Sequence, residues 1–317
     1  MKKHKHYLVT GGAGFIGSAI VKLLLKKKYK VSVFDDFSRG SNERLSDLNV
    51  NIYSGDIRDK KKLEDSFDNI DGIFHLAFIN GTKFFYTNPE DVLDVGILGM
   101  LNIIDLAKKY NVKEFYLASS SEVYQTPKKL PTDENEEMKI PDPYNPRYSY
   151  ASAKLINEII GINYGKAFLK KLVIFRPHNV FGPNMGTEHV IPELIKKILF
   201  NDGKVNIQGD GNQTRAYIYI DDFVRAIDVL IESNKNSFET YNIGSSNEIS
   251  INNLISKINF NLNMDFKIIP GDLPDGSTLR RCPNINKLLS LGYEEEKSLE
   301  KGLAETVKWY KSFYFNE

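Results

Sequence analysis

The sequence predicts an α/β fold, a doubly wound parallel sheet followed by a smaller C-terminal α/β region. Three observations carry this. Strand-length apolar runs alternate with helix-length amphipathic stretches through the first half of the chain. A glycine-rich loop stands between the first such run and the first such stretch. An aspartate closes the second run about twenty residues further on.

The elements follow in order. "HYLVT" reads as the first strand, and Phe15 to Lys28 carries Ile16, Ile20, Leu23 and Leu24 at helical spacing. "KVSVF", "VNIYSG" and "GIFHLA" read as strands two to four. Pro89 to Tyr110 is helical, with Val92, Val95, Leu98, Ile103 and Leu106 on one side. "EFYLASS" and "KLVIFRP" are further strands, with a helix from about Tyr150 to Leu169 between them. Repeated alternation of this kind implies parallel strands covered on both faces. Residues 125–149, rich in proline and acid, are too long for an ordinary connection and read as a functional lid. After Arg176 the alternation becomes irregular. The expected division is a dinucleotide-binding domain of residues 1–177 plus about 215–243, and a substrate region of 178–214 plus 244–317.

Bulk properties exclude several classes. Lys and Arg number 42 against 41 Asp and Glu, which argues against a nucleic-acid binder. The single cysteine, Cys282, cannot close an internal disulfide and suits a reducing compartment. No apolar run is long enough to span a bilayer and no signal-peptide core follows the basic start. The expectation is a cytoplasmic protein without nucleic-acid or membrane partners. His4 and His6 read as a solvated chain start, and no metal site is expected.

The loop "VTGGAGFIG" places Gly11, Gly14 and Gly17 where backbone N–H groups, with those of Phe15 and Ile16 at the helix start, can approach a pyrophosphate. Asp35, with Asp36 and Ser38 beside it, suits an adenosine ribose and disfavours a 2′-phosphate, so NAD is expected rather than NADP. Tyr150 and Lys154, four apart at a helix start, share a face. A neighbouring ammonium favours phenolate, and such a tyrosine can take a proton from a substrate hydroxyl as hydride leaves.

The ordered set "TGGAGFIG", "HLAF", "SSSEVY", Tyr-x-x-x-Lys, "RPHNVFGP" and "GDGNQTRAYIYIDD" resembles the extended short-chain dehydrogenase/reductase superfamily, and within it the nucleotide-sugar epimerases and dehydratases. The resemblance implies a Rossmann sheet and a homodimer built on the helices near 90–110 and 150–169. It implies Tyr150 as catalytic base, with Lys154 holding that base and the nicotinamide ribose. Ser120 would bond the C4 hydroxyl of the sugar, with Ser121 beside it. Asp56 and Ile57 match an adenine contact, and Leu76 and Ala77 line the pyrophosphate side. Asn179, Arg215 and Arg280 match positions that grip the substrate diphosphate, for which guanidinium groups are suited. Three positions depart from the pattern. Gly96 stands where an asparagine is usual, Phe78 where an alanine is usual, and Ala216 where an acid is common.

All enzymes of this kind oxidise C4 first, which acidifies the C5 proton. A 4,6-dehydratase then needs a base and an acid side by side. Here Glu122 can serve as the base, but the neighbouring position is Ser121, a poor general acid. Net C4 oxidation ranks first, 4-epimerisation second and dehydration third. A non-enzymatic NAD sensor stands last, since Ser120, Tyr150 and Lys154 are all present. The chain is also similar to bacterial GDP-heptose 4-dehydrogenases of surface-polysaccharide precursor pathways.

Overall fold

The computed structural model describes residues 5–233 and 237–315. Strands β1 (His6–Thr10), β2 (Lys30–Asp35), β3 (Asn51–Ser54), β4 (Gly72–His75), β5 (Glu114–Ala118) and β6 (Lys171–Pro177) join the strand Phe238–Ile243 in one seven-stranded sheet. Across it the strands run β3, β2, β1, β4, β5, β6 and then Phe238–Ile243. The ladders from β3 to β6 are all parallel. The order reverses direction between β1 and β4, and such switch points are where doubly wound sheets bind ligands, at the carboxyl ends of the strands.

Helices α1 (Phe15–Lys26), α2 (Lys60–Glu64), α3 (Thr82–Thr87), α4 (Pro89–Lys109) and α5 (Ser149–Gly165) serve the crossovers among β1 to β6. Helix α4 begins with Pro89, carries Glu90 and Asp91 in its first turn and Lys108 and Lys109 in its last. Each choice agrees with the helix dipole and the orphaned groups at its ends. Its buried stripe, with Ile103, Ile104 and Leu106, meets Leu8, Ile73, Phe115 and Leu117 of the sheet in one apolar cluster. Phe74 and Tyr116 stack at 4.3 Å. Lys171 is buried in β6, where its ammonium donates to the carbonyls of Leu230 and Ser233, both at 2.8 Å, at the end of the helix Ile220–Glu232. A cation there caps the negative end of the helix dipole.

By contacts the chain divides into two units. One holds residues 1–125, 138–177 and 227–241, and the other holds 126–137, 178–226 and 242–317. In the second, the strands Glu248–Ser250, Thr214–Ala216 and Arg280–Arg281 form a small sheet with Thr214–Ala216 in the middle. The acidic, proline-rich segment 125–149 carries no regular element before the short turn Pro146–Tyr148, and one point of it is held. Within the second unit, Thr132 is buried, donates its N–H to the Cys282 carbonyl at 2.8 Å and accepts from the Asn284 N–H at 2.7 Å.

The chain start also differs from expectation. His4 lies outside the described residues, but His6 belongs to β1, is half-buried, and bonds Ser32 Oγ at 2.9 Å. Burial lowers its imidazole from the ordinary value. Cys282 is buried, which pushes its thiol up to about 11. Among the described residues, no helix is long and apolar enough to cross a membrane.

Candidate active site

The glycine loop leaves β1 with Gly11 at φ +71°, a conformation that disfavours any side chain. Space is closed there as well. A Cβ on Gly11 would lie 2.7 Å from the Ala77 nitrogen, and one on Gly17 only 2.0 Å from the Gly11 carbonyl oxygen. Helix α1 then begins at Phe15 with no side-chain cap, so backbone N–H groups at its start, those of Phe15, Ile16 and Gly17, are left for a ligand. Asp35 closes the loop, with one carboxylate oxygen accepting from the Ala13 N–H and the other from the Phe37 N–H, both at 2.9 Å. Burial pushes this carboxyl up, while those two N–H groups and Arg44 oppose the shift. A carboxylate has about four acceptor positions, so two remain for ribose hydroxyls. Asp36 accepts from the N–H and hydroxyl of Ser38.

Other expected cofactor residues follow at neighbouring strand ends. Asp56 is gripped by Arg58 at 2.7 Å, which holds its carboxyl below the usual range, and Arg58 reaches on to Asp91. Ile57 is buried against Gly99, where a Cβ would come within 2.2 Å of its side chain. The Leu76 N–H donates to the Thr10 carbonyl at 3.1 Å, and Thr10 Oγ1 bonds His75 Nδ1 at 2.8 Å. These contacts tie the ends of β1 and β4 together beside the loop. The cradle, the uncapped helix start and the acid with spare acceptors fit a dinucleotide, which Gly11, Gly14, Gly17, Asp35 and the end of β4 would hold.

Lys154 reaches from α5 to the end of β5, near the other expected catalytic residues. Its Nζ donates to the Ala118 carbonyl at 2.7 Å, at the end of β5 and two residues before Ser120. The side chain is buried, which pushes its ammonium down to about 7. Tyr150, one turn earlier on α5, is also buried and lies between two rings. Phe85 stacks on it at 5.0 Å and Phe78 meets it edge-on at 5.1 Å. Ser120 caps a short turn of 3-10 helix, Ser121–Tyr124, by accepting from the Glu122 N–H at 3.1 Å. That turn packs against α5. A hydroxyl that accepts still has its own proton to donate. Ser121 is buried beside it.

A buried ion pair stands behind this set. Glu158, one turn beyond Lys154, pairs with Arg176 of β6 at 2.6 Å and accepts from Ser119 Oγ. Arg176 also donates to Tyr124 Oη at 2.6 Å. The network thus links α5, the end of β5, the Ser121–Tyr124 turn and β6.

The expected diphosphate residues lie in the second unit. Asn179 has φ +43° and its side-chain amide donates to the Ala216 carbonyl at 2.8 Å, so that donor is engaged within the fold. Arg215 donates to the Thr278 carbonyl at 2.7 Å. Arg280 pairs with Glu248 at 2.5 Å and its side chain is largely exposed. In the parallel ladder Arg281, not Arg280, stands opposite Arg215, and Arg280 stands opposite Thr214. Successive strand residues face opposite ways, so Arg281 shares the face of Arg215. Both reach Thr278, Arg281 through a 3.1 Å bond to its Oγ1. Sequence reasoning did not single out Arg281, Phe85, Glu158 or Arg176. Only for Arg281 was there a local signal, the doublet itself.

Residues 7–244 match the profile of the NAD dependent epimerase/dehydratase family. A dTDP-D-glucose 4,6-dehydratase of Dictyostelium discoideum is 31% identical over 358 residues, covering 96% of this chain and 81% of that protein. Among solved structures, the UDP-glucose 4-epimerase of Thermotoga maritima with UDP-glucose superposes with a TM-score of 0.88 at 31% identity, covering 98% of this chain and 99% of that one. The Thermus thermophilus UDP-glucose 4-epimerase in complex with NAD gives 0.87 at 25% identity, with 96% and 99% covered. With the glycine cradle and the Tyr150–Lys154 pair in place, these similarities make the chain a member of the NAD dependent epimerase/dehydratase family, an enzyme of the nucleotide-sugar type.

Proposed function

We propose that the chain oxidises C4 of a nucleotide-diphosphate sugar and releases the 4-keto sugar, with a GDP-heptose as the first candidate substrate, in the supply of surface-polysaccharide precursors. The observation that carries C4 oxidation is the buried Tyr150–Lys154 pair one turn apart on α5; Ser121, a buried hydroxyl beside Glu122 where a 4,6-dehydratase of the dTDP-glucose type has a strong acid, argues against dehydration. Tyr150 takes the C4 hydroxyl proton, Lys154 favours the phenolate that receives it, and Ser120 holds the same hydroxyl. NAD, when bound, accepts the C4 hydride. The ring contacts on Tyr150 fix its orientation and keep water from it. Net turnover further requires a second carbonyl substrate or exchange of the reduced cofactor.

A 4-epimerase is the second reading. The similarity to epimerase structures favours it, and it needs the same groups plus room for the keto sugar to turn. The site residues proposed for the diphosphate are Arg215 with Arg280 or Arg281 and Asn179. The assembly proposed is a homodimer through α4 and α5, which expose Leu98, Ile159 and Tyr164. A sedimentation mass of one chain at micromolar concentration would refute the dimer.

The test is the reduced-nicotinamide absorbance of purified protein mixed with GDP-, UDP- and dTDP-sugars, with product analysis. A persistent stoichiometric rise with a 4-keto product supports the dehydrogenase. An isomeric sugar without a lasting rise refutes it in favour of epimerisation. Tyr150→Phe is expected to retain NAD and lose turnover by about a hundredfold or more. Unchanged turnover would remove Tyr150 from its role.

A further inference from the structure

Phe78 and Gly96 are in contact. A Cβ on Gly96 would lie 2.7 Å from Phe78 Cζ and 2.8 Å from Ala153 Cβ. The Phe78 ring and the Ala153 methyl group together fill the space that any side chain from this point of α4 would need. From there the Phe78 face lies over Lys154, with Nζ 4.0 Å from the ring centroid, and the ring meets Tyr150 at an interplanar angle of 82°.

We propose that Phe78 is a positioning residue that takes the place of a side chain at position 96, holding the Lys154 ammonium on its π face and the Tyr150 ring against it. The inference rests on the reading of Tyr150 and Lys154 as the catalytic pair. A phenyl face attracts the ammonium form of lysine, because its quadrupole interacts with charge. An amide from α4 could bond the amine in either protonation state. The ring thus favours the charged form that sustains a phenolate at Tyr150, in a site where burial works against that charge.

The groups around Lys154 agree with such a need. Its own helix supplies Tyr150 and, one turn on, Glu158, whose charge favours the ammonium but which is paired with Arg176. From β4 comes His75, held neutral by burial and pushed down to about 3, the Lys154 charge contributing. From β5 comes only a carbonyl, that of Ala118, and α4 presents Gly96. The Phe78 ring at 4.0 Å, nearer than the Tyr150 ring at 5.8 Å, adds preference for charge at no cost in polar groups to be satisfied.

Four proteins test this: the wild type, Phe78→Leu, Gly96→Asn and Phe78→Ala/Gly96→Asn. Phe78→Leu keeps apolar cover and removes the π face. Loss of the preference for ammonium lowers the pH at which the active pair loses its last proton. The alkaline limb of kcat is therefore expected to move about one unit to lower pH, with kcat reduced several-fold and KM nearly unchanged. A limb that stays in place while only thermal stability falls would reduce Phe78 to packing and overturn the proposal. Gly96→Asn alone forces the ring out and should lose stability and activity. The double variant should recover part of both relative to Gly96→Asn, the Ala153 methyl still standing 2.8 Å away, and simple additivity would overturn the exchange. If the wild type reduces no cofactor with any nucleotide sugar, the C4-oxidation reading falls. The exchange is then decided by the thermal midpoints of the same four proteins.

Discussion

Replacing Lys154 by methionine should make the apo protein more stable while abolishing turnover. The ammonium is buried, and its direct hydrogen-bond partner among the described residues is the Ala118 carbonyl at 2.7 Å. Burial pushes it from 10.5 to about 7. Unfolded chains therefore bind a proton there that folded chains lack between about pH 7 and 10.5, so this group makes stability rise with pH across that window. The corresponding cost to the folded state is about 4 kcal/mol at pH 7 and about 2 kcal/mol at pH 9. Methionine removes that cost and loses a hydrogen bond worth about 1–3 kcal/mol. The net expectation is a gain of about 1–3 kcal/mol at pH 7, a rise in thermal midpoint of a few degrees, shrinking toward zero by pH 9. Thermal denaturation of cofactor-free wild type and Lys154→Met at both pH values checks this. A variant less stable at pH 7, or a difference independent of pH, would show that the lysine does not carry a burial cost and would refute the reasoning.

Two further outcomes are expected. Glu158→Gln leaves the Arg176 guanidinium buried without its carboxylate, 4% exposed in a network with Tyr124, and should cost about 3–5 kcal/mol. Calorimetry should find a midpoint lowered by several degrees, and a midpoint within a degree of wild type would mean that the pair is hydrated in solution. Gly17→Ala places a Cβ 2.0 Å from the Gly11 carbonyl oxygen and 2.9 Å from Gly12 Cα, backbone atoms that cannot step aside singly. NAD affinity measured by titration calorimetry should fall at least about tenfold, and an unchanged affinity would remove the cradle from cofactor binding.

Much of the fold is legible in the sequence. Strands β1 to β6 and helices α1, α4 and α5 lie close to where apolar period and length put them, although α5 ends at Gly165 rather than near Leu169. The short helices α2 and α3 were not anticipated. At five and six residues they are too short for a hydrophobic period to register. That omission matters because α3 delivers Phe85 to the face of Tyr150.

The sequence by itself determined the local devices. The glycines of the first loop, Asp35 at the end of β2, and Tyr150 with Lys154 one turn apart are patterns of neighbours along the chain. Backbone sterics and helix geometry translate such patterns directly into shape. Only the tertiary structure decided which distant residues meet. It set the Phe78 ring in the space left by Gly96 and paired Glu158 with Arg176 across two elements. It also put Arg281 rather than Arg280 on the face of Arg215. Spacing along the chain carries no record of these partnerships, because strand register and helix packing fix them only after the core has closed.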